Sequence, residues 1–373
     1  MSQPFRRRTL LALAAAPVLP AQALANLAMA SGRGASAGPP SPRGPALDPA
    51  VWRAFCARFV RPDGRVVDTF NNGISHSEGQ GWALLCAEQA LDRETFDQIL
   101  AWTTRTLARP GDALLAWRFR PDAFGGLGQV DDPNNATDGD LMFAWALLRA
   151  GRRWRSEAYT EQGVAVARDV LRLLVRQVGE ETVLLPGAAG FEQRDHVVLN
   201  PSYYAFPAFR ALAQAVPDPI WLRLASDGLS LMRRARFGRW GLPADWVALP
   251  RGGGRPSPAP GWPTRFSYDA VRVPLYLAWA GLGREPAVIG AARFWTDPSH
   301  ARMPAWTDFA ADTVSPYAAS PGIRAVAQLT IARHADSTRP LAQSSMDEAQ
   351  DYYSAILSLL ARLAWRDSLT ASI

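Results

Sequence analysis

The chain has 373 residues, 48% of them hydrophobic and 20% charged, with 14 Trp and a formal net charge of +6. That is globular composition with a surplus of aromatic surface, and it argues against a disordered chain. All 40 basic residues are Arg, scattered among 34 acids without a basic stripe interleaved with aromatics, which argues against a nucleic-acid partner. Taken in chain order, residues 1–25 read as a leader: Arg6-Arg7-Arg8, then Thr9 and an apolar run through Leu19, then Ala-x-Ala sites at Ala21-Gln22-Ala23 and Ala23-Leu24-Ala25. Arg7-Arg8-Thr9-Leu10-Leu11 resembles a twin-arginine signal, with a plain secretory leader as the alternative; either predicts a periplasmic or secreted protein. Residues 26–46, rich in Ser, Gly, Pro and Ala, read as a flexible lead-in to one catalytic-size region over 47–373. No later stretch reaches the roughly 18 uninterrupted apolar residues of a membrane span.

From Asp48 onward the pattern is helical. Apolar residues at three- and four-residue spacing predict helices near 48–60, 78–91, 93–108, 138–153, 157–177, 202–215, 218–237, 268–282, 285–295, 320–333 and 347–366. Strand signals are confined to Leu114–Phe119 and Glu181–Leu185. The helices at 138–150 and 268–282 are apolar almost all round and must be buried on every side, whereas 157–177 carries one wide apolar stripe. Alternation of the two kinds predicts an all-α fold in which an inner ring of helices is wrapped by an outer ring, an (α/α)6 barrel. A superhelical array of helix pairs is the alternative, but no strict repeat is visible. Two long loops, 109–135 and 239–267, each lead into a buried helix and predict a substrate cleft at one end of the barrel. Cys56 and Cys86 both fall in predicted helices, as a pair or as two buried thiols.

Three acids share one setting. Glu78 in His76-Ser77-Glu78-Gly79-Gln80-Gly81-Trp82, Asp138 in Ala136-Thr137-Asp138-Gly139-Asp140, and Asp269 in Phe266-Ser267-Tyr268-Asp269-Ala270-Val271-Arg272 each follow a polar or Gly-rich loop and open an apolar helix. A capping role suits any one of them alone, because helix N-termini favour acids. Three together, at the starts of the most buried helices, point to fixed carboxyl groups at the mouth of a cleft, which is what hydrolysis of a sugar bond requires. Gly79, Gly81 and Gly139 are expected to leave room for a ligand. Arg272 stands three residues after Asp269, where it can orient or neutralise a carboxylate. Glu78 suits the proton donor, having the longer arm and Trp82 one turn on, and Asp269 suits a base acting through water.

With these residues in place the chain resembles glycoside hydrolase family 8. Ala136-Thr137-Asp138-Gly139-Asp140, followed by Ala144, Ala146-Leu147-Leu148, Ala150 and Trp154, follows that family's signature, with Phe143 where the family usually has Ile or Met. Ser77–Gly81 resembles the block holding the family's general acid, and Ser267–Pro274 the block holding its general base. Asn200-Pro201-Ser202-Tyr203-Tyr204 and Ala116-Trp117 also look familial. The resemblance implies an (α/α)6 barrel and an inverting endo-acting hydrolase with Glu78 as acid, Asp269 as base and Asp138 positioning the sugar at the cleavage point. The compact form with an exported leader resembles the branch of the family that accompanies bacterial cellulose synthesis. That implies β-1,4-glucan as substrate, the cellulose synthesis and export machinery as a candidate partner, no cofactor and a monomeric chain.

Trp117, Tyr203, Tyr204 and Trp262 are candidates to stack on glucose rings or line the cleft. Gln80, Asn135, Tyr268 and Arg272 are candidates for polar contacts, and Trp102, mid-helix, reads as core. Competing readings are a xylanase or chitosanase of the same family, for which Asp131 and Asp132 could meet a cationic substrate, and a non-catalytic carbohydrate-binding protein. A metal cluster built from Asp131, Asp132, Asp138 and Asp140 fits no EF-hand spacing, so no metal is expected.

Overall fold

The computed structural model describes residues 46–122, 126, 128–339, 341 and 346–370, so the leader at 1–25 lies outside the described residues. Among these residues there are eleven α-helices: α1 (Pro49–Phe59), α2 (Ser77–Ala90), α3 (Arg93–Leu107), α4 (Thr137–Trp154), α5 (Glu157–Leu174), α6 (Phe206–Ala215), α7 (Ile220–Arg234), α8 (Arg272–Trp279), α9 (Pro286–Thr296), α10 (Pro321–His334) and α11 (Tyr352–Thr370). They form an (α/α)6 barrel. Helices α2, α4, α6, α8, α10 and α11 touch one another in that cyclic order and close the wall, while α3, α5, α7 and α9 pack against its outside. Burial follows the sequence pattern. In α2 every residue but Glu78 is buried, and α8 is buried throughout; the outer α5 buries only one stripe, Tyr159, Gly163, Val166, Ala167, Val170 and Leu174. Trp102 is buried in the core, as expected of a mid-helix Trp.

Helix ends follow local chemistry. Asp48, Asp92 and Ser156 accept hydrogen bonds from Ala50 N, Thr95 N and Tyr159 N and cap α1, α3 and α5. The helix expected over 157–177 stops at Leu174 because Val175–Val178 turns at Gly179 (φ 58°) and pairs as a hairpin with Glu181–Leu184. The helix expected from 202 is a 3-10 turn (Pro201–Tyr203) followed by α6, and the helix expected from 268 begins only at Arg272.

The strands are short and mostly sit at the ends of the connections. They are β1 (Ser75–His76), β2 (Ala116–Arg120), β3 (Gln129–Asn135), β4 (Val175–Val178), β5 (Glu181–Leu184), β6 (His196–Leu199), β7 (Val247–Pro250), β8 (Ser257–Pro258), β9 (Arg265–Phe266), β10 (Thr307–Asp308) and β11 (Thr313–Val314). They form antiparallel sheets in the orders β1-β2-β3, β4-β5, β6-β7-β8 and β11-β10-β9. The expected strands at 114–119 and 181–185 correspond to β2 and β5; the others are too short, or too polar in the case of β3, to show alternation. Three of them lead directly to the acids. β1 ends two residues before Glu78, β3 three before Asp138, and β9 three before Asp269.

The opposite end of the barrel is locked by ions. Glu88, buried near the end of α2, pairs with Arg149 (2.9 Å) and Arg153 on α4, and Arg149 also reaches Asp367 on α11 (3.3 Å). Trp279, the last residue of α8, donates to the same Asp367 at 3.1 Å. Four wall helices are therefore tied at their C-terminal halves, leaving their N-termini to face the cleft.

Two glycines expected to make room for a ligand make room for a helix instead. A Cβ on Gly139 would stand 2.3 Å from Ser77 Oγ and 2.7 Å from Glu78 N, and one on Gly81 would stand 2.9 Å from Met142 Cβ. A Cβ on Gly79 would lie 2.8 Å from Tyr352 Oη. Gly81 and Gly139 thus let α2 and α4 meet backbone to backbone, bringing Glu78 and Asp138 to adjacent helix starts. Gly139→Ala is expected to cost about 1–3 kcal/mol by overpacking, read as a lower midpoint in urea or thermal unfolding; an unchanged midpoint would show that the helices can part freely.

Asp140 fixes the cleft rim to α4. It accepts from Leu115 N (2.8 Å) and Asn135 Nδ2 (2.7 Å), and it is fully buried. Burial pushes its pKa up to about 7, whereas an aspartate in the unfolded chain titrates near ~4. Between those values the folded protein holds a proton that the unfolded chain has released, so this contribution to stability is complete below ~4 and is lost as pH rises through about 7. Asp140→Asn removes that dependence. The stability gap between wild type and variant is expected to shrink from pH 5 to pH 8, measured as melting temperature; a gap that widens with pH contradicts the assignment.

Candidate active site

Each acid is delivered by a short strand and then a turn or helix start. His76, at the end of β1, caps α2 by accepting from Gly79 N at 3.0 Å, and its Nε2 faces Asp68 at 3.6 Å. That places Glu78 in the first turn, 18% exposed, with its Oε2 3.7 Å from His76 Nδ1. The Thr137 hydroxyl donates to Leu185 O at 2.6 Å and seats the first turn of α4, where Asp138 is buried and accepts from Gly139 N at 2.8 Å. Asp269 is not at a helix start as expected. It lies in a turn ahead of α8, in which Arg272 N and Val271 N bond back to Asp269 O and Ser267 O, both at 3.0 Å.

Arg272 brings the three acids together. Its Nη1 contacts Glu78 Oε1 and lies 3.0 Å from Asp138 Oδ2, and its Nη2 lies 2.5 Å from Asp269 Oδ1. The guanidinium is buried and lies over the rings of Trp82 (5.3 Å) and Tyr203 (5.8 Å), which fix its plane. Trp82 is held in turn by its Nε1 bond to Tyr276 Oη at 3.1 Å. One cation thus faces three carboxyl groups in a desolvated setting. Burial pushes Asp138 up to about 7. Burial, then the neighbouring carboxyls of Asp245 and Asp138, push Asp269 well above the ordinary carboxylate range, while Asn200 and Trp246 act in the opposite sense. Asp138 and Asp269 are therefore both harder to ionise than ordinary carboxyls, and as close neighbours they titrate together.

An aromatic wall flanks Asp269. Trp246 stacks against Trp262 at 4.0 Å and against Phe191 at 5.7 Å, with Tyr203 edge-on at 6.1 Å. Trp262 is 39% exposed and, with Phe191, Gln193 and His196, lines a cavity of about 320 Å³. Trp117, half-buried on β2 beneath Arg118 (4.5 Å), belongs to the sheet that carries β1 toward Glu78. Tyr268 is exposed beside Asp269, its hydroxyl 3.1 Å from that of Tyr317.

Three expected contact residues are committed elsewhere. Gln80 is buried, with Oε1 accepting from Val66 N (2.7 Å) and Nε2 donating to Thr103 Oγ1 (2.7 Å), so it ties α2 to α3 rather than meeting a sugar hydroxyl. Asn135 is buried, with Nδ2 on Asp140 and Oδ1 accepting from Ala188 N at 2.7 Å. Tyr204 is buried in the core, with its hydroxyl accepting from Leu184 N at 3.1 Å. A polar residue next to a candidate acid is as easily spent on the scaffold as on a ligand. The acids considered for a metal also diverge: Asp131 is taken by Arg118 and Arg120 (2.7 Å each), Asp132 by Asn134 N (3.0 Å) and Asp140 by Asn135. Asp245 and Trp246 were overlooked in the sequence, and His76 and Asn200 stood there only as members of motifs without a role of their own. Asp245 and Trp246 sit in a connection without periodicity, and only their position between the apolar residues of a long loop could have drawn notice.

Comparison with known proteins identifies the family. The sequence profile of glycosyl hydrolases family 8 matches residues 19–367. A probable endoglucanase of Novacetimonas hansenii is 44% identical over 313 residues, covering 84% of this chain and 89% of the relative. The structure of an endo-β-1,4-glucanase of Acetobacter xylinum superposes with a TM-score of 0.78 at 43% identity, covering 85% of this chain and 97% of that one. A family 8 endoglucanase of Klebsiella pneumoniae gives a TM-score of 0.79 at 38% identity, covering 86% and 99%. The chain belongs to glycosyl hydrolase family 8.

Proposed function

We propose that the protein is an inverting endo-β-1,4-glucanase. Glu78 donates its proton to the glycosidic oxygen as the C1–O bond breaks, Asp269 takes a proton from the water that attacks C1 from the opposite face, and Asp138 holds the sugar at the cleavage point. The observation that carries the reading is the convergence of these three carboxyls, from three separate helix approaches, on the one guanidinium of Arg272. The names of the relatives, two of them endo-β-1,4-glucanase or endoglucanase structures covered almost end to end, supply the substrate class.

The electrostatics suit the roles. A base whose pKa is raised is a stronger base once ionised, and Asp269 is raised by burial and by its carboxylate neighbours. The acid limb of the pH–rate profile accordingly lies above the ~4 of an ordinary carboxyl. An uncharged glucan asks for apolar faces rather than a charged trough, and the wall of Trp246, Trp262 and Phe191 offers them. The acids that a cationic chitosan would need, Asp131 and Asp132, are spent on Arg118, Arg120 and the backbone, which favours glucan. The leader over residues 1–25 supports export, with a place of action in the periplasm or outside the cell and the cellulose synthesis and export machinery as a candidate partner.

Reducing-sugar release is expected to be faster from carboxymethylcellulose than from xylan or chitosan. Glu78→Gln is expected to lower that release by about 10²–10⁴-fold while retention on a glucan affinity gel is unchanged; near-native turnover would remove Glu78 from the donor role. Trp262→Ala is expected to raise KM for cello-oligosaccharides about three- to tenfold with kcat within about twofold, and an unchanged KM would take the wall out of substrate binding.

A further inference from the structure

Asp245 lies at the end of the connection before β7, is buried, and takes no part in the reaction as assigned above. Its Oδ1 accepts from Ser267 N (2.9 Å) and Ala270 N (2.7 Å), and its Oδ2 accepts from the Ser267 hydroxyl. The residues it grips bracket Asp269 on both sides, and its own backbone N–H donates to Arg265 O at 2.8 Å, tying it to β9. An acid sunk in the interior needs a reason to be an acid. An amide or a serine could meet backbone donors, but only a carboxylate adds a fixed negative charge behind the side chain it positions.

We propose that Asp245 is a positioning residue for the hydrolytic reaction: it clamps the 267–270 turn that presents Asp269 and, as a second carboxylate behind that turn, sets the pH at which Asp269 becomes competent as a base. The inference rests on the assignment of Asp269 as base and extends it to the control of that base. Asp269 is faced by Asp245 from this connection, Asp138 from α4, Arg272 from α8, Tyr203 from the 3-10 turn and Tyr353 from α11; Glu78 from α2 reaches it through Arg272. Arg272 and Asp138 face it from the wall helices α8 and α4. Asp245 is the carboxylate on the scaffold side; burial raises its pKa, and the hydrogen bonds it accepts from Ser267 and Ala270 act in the opposite sense, toward the charged form.

Asp245→Asn separates the two parts of the role, because the amide oxygen can keep both backbone bonds while the charge is lost. The acid limb of the kcat/KM profile is expected to move down by about one pH unit, and the plateau kcat to fall by about threefold as the base weakens. A limb that stays in place while kcat falls at every pH would reduce Asp245 to scaffold and overturn the proposal. Should that variant fail to fold, Asp245→Glu decides the matter: it keeps the charge and displaces the turn, so kcat falls with the limb at its wild-type pH, and a limb moved down by about a unit overturns the proposal. Asp269→Asn tests the underlying assignment independently. Retained turnover there would discard Asp269 as base, whereas an inactive Asp269→Asn with an unmoved limb in Asp245→Asn would discard only the role of Asp245.

Discussion

A single buried guanidinium, that of Arg272, holds three carboxyl groups that the chain delivers from positions 78, 138 and 269. Its one positive charge offsets the repulsion among three acids gathered round it, Asp138 buried and Glu78 and Asp269 partly exposed, and its planar fork decides where they point. Trp82 and Tyr203 fix the plane of that fork, and Tyr276 fixes Trp82. One cation cannot balance three anions, so protons make up the difference, and Asp138 and Asp269 are both raised by burial.

The fold supplies what that cluster needs. The wall helices are tied together at one end by Glu88, Arg149, Arg153, Asp367 and Trp279, and at the other their N-termini converge on the cleft. Gly81 and Gly139 remove the side chains that would hold α2 and α4 apart, which brings Glu78 and Asp138 to neighbouring turns. Short strands set the approach to each acid, and an aromatic wall stands beside Asp269. The membership in glycosyl hydrolase family 8 and the likeness to endoglucanase structures fit a scaffold of this kind.

Much of this was legible in the sequence because it is written in periodicity. Helices buried on all sides leave no polar face, so α2, α4 and α8 could be told from the amphipathic α5, and the acids heading them stood out. The contacts of individual polar residues were not legible. Gln80 and Asn135 neighbour the acids along the chain and Tyr204 follows Tyr203, yet their side chains serve Val66, Thr103, Asp140, Ala188 and Leu184, partners up to 53 residues away. The role of Arg272 was visible only as far as its own turn; its contacts with Glu78 and Asp138 span the barrel and depend on tertiary packing. Asp245 and Trp246 were invisible for the same reason, lying in a connection whose course is set by what it packs against. The glycines misled because a missing side chain beside a catalytic acid reads equally well as space for a ligand and as space for another helix.

In the proposed reaction Asp269 directs water to the face of C1 opposite the bond that Glu78 helps to break. Proton NMR of a fresh digest of a β-1,4-linked cello-oligosaccharide, recorded before mutarotation, reads that geometry directly. The α-anomer at the newly formed reducing end is the predicted first product; a β-anomer appearing first would contradict the assignment of the two acids.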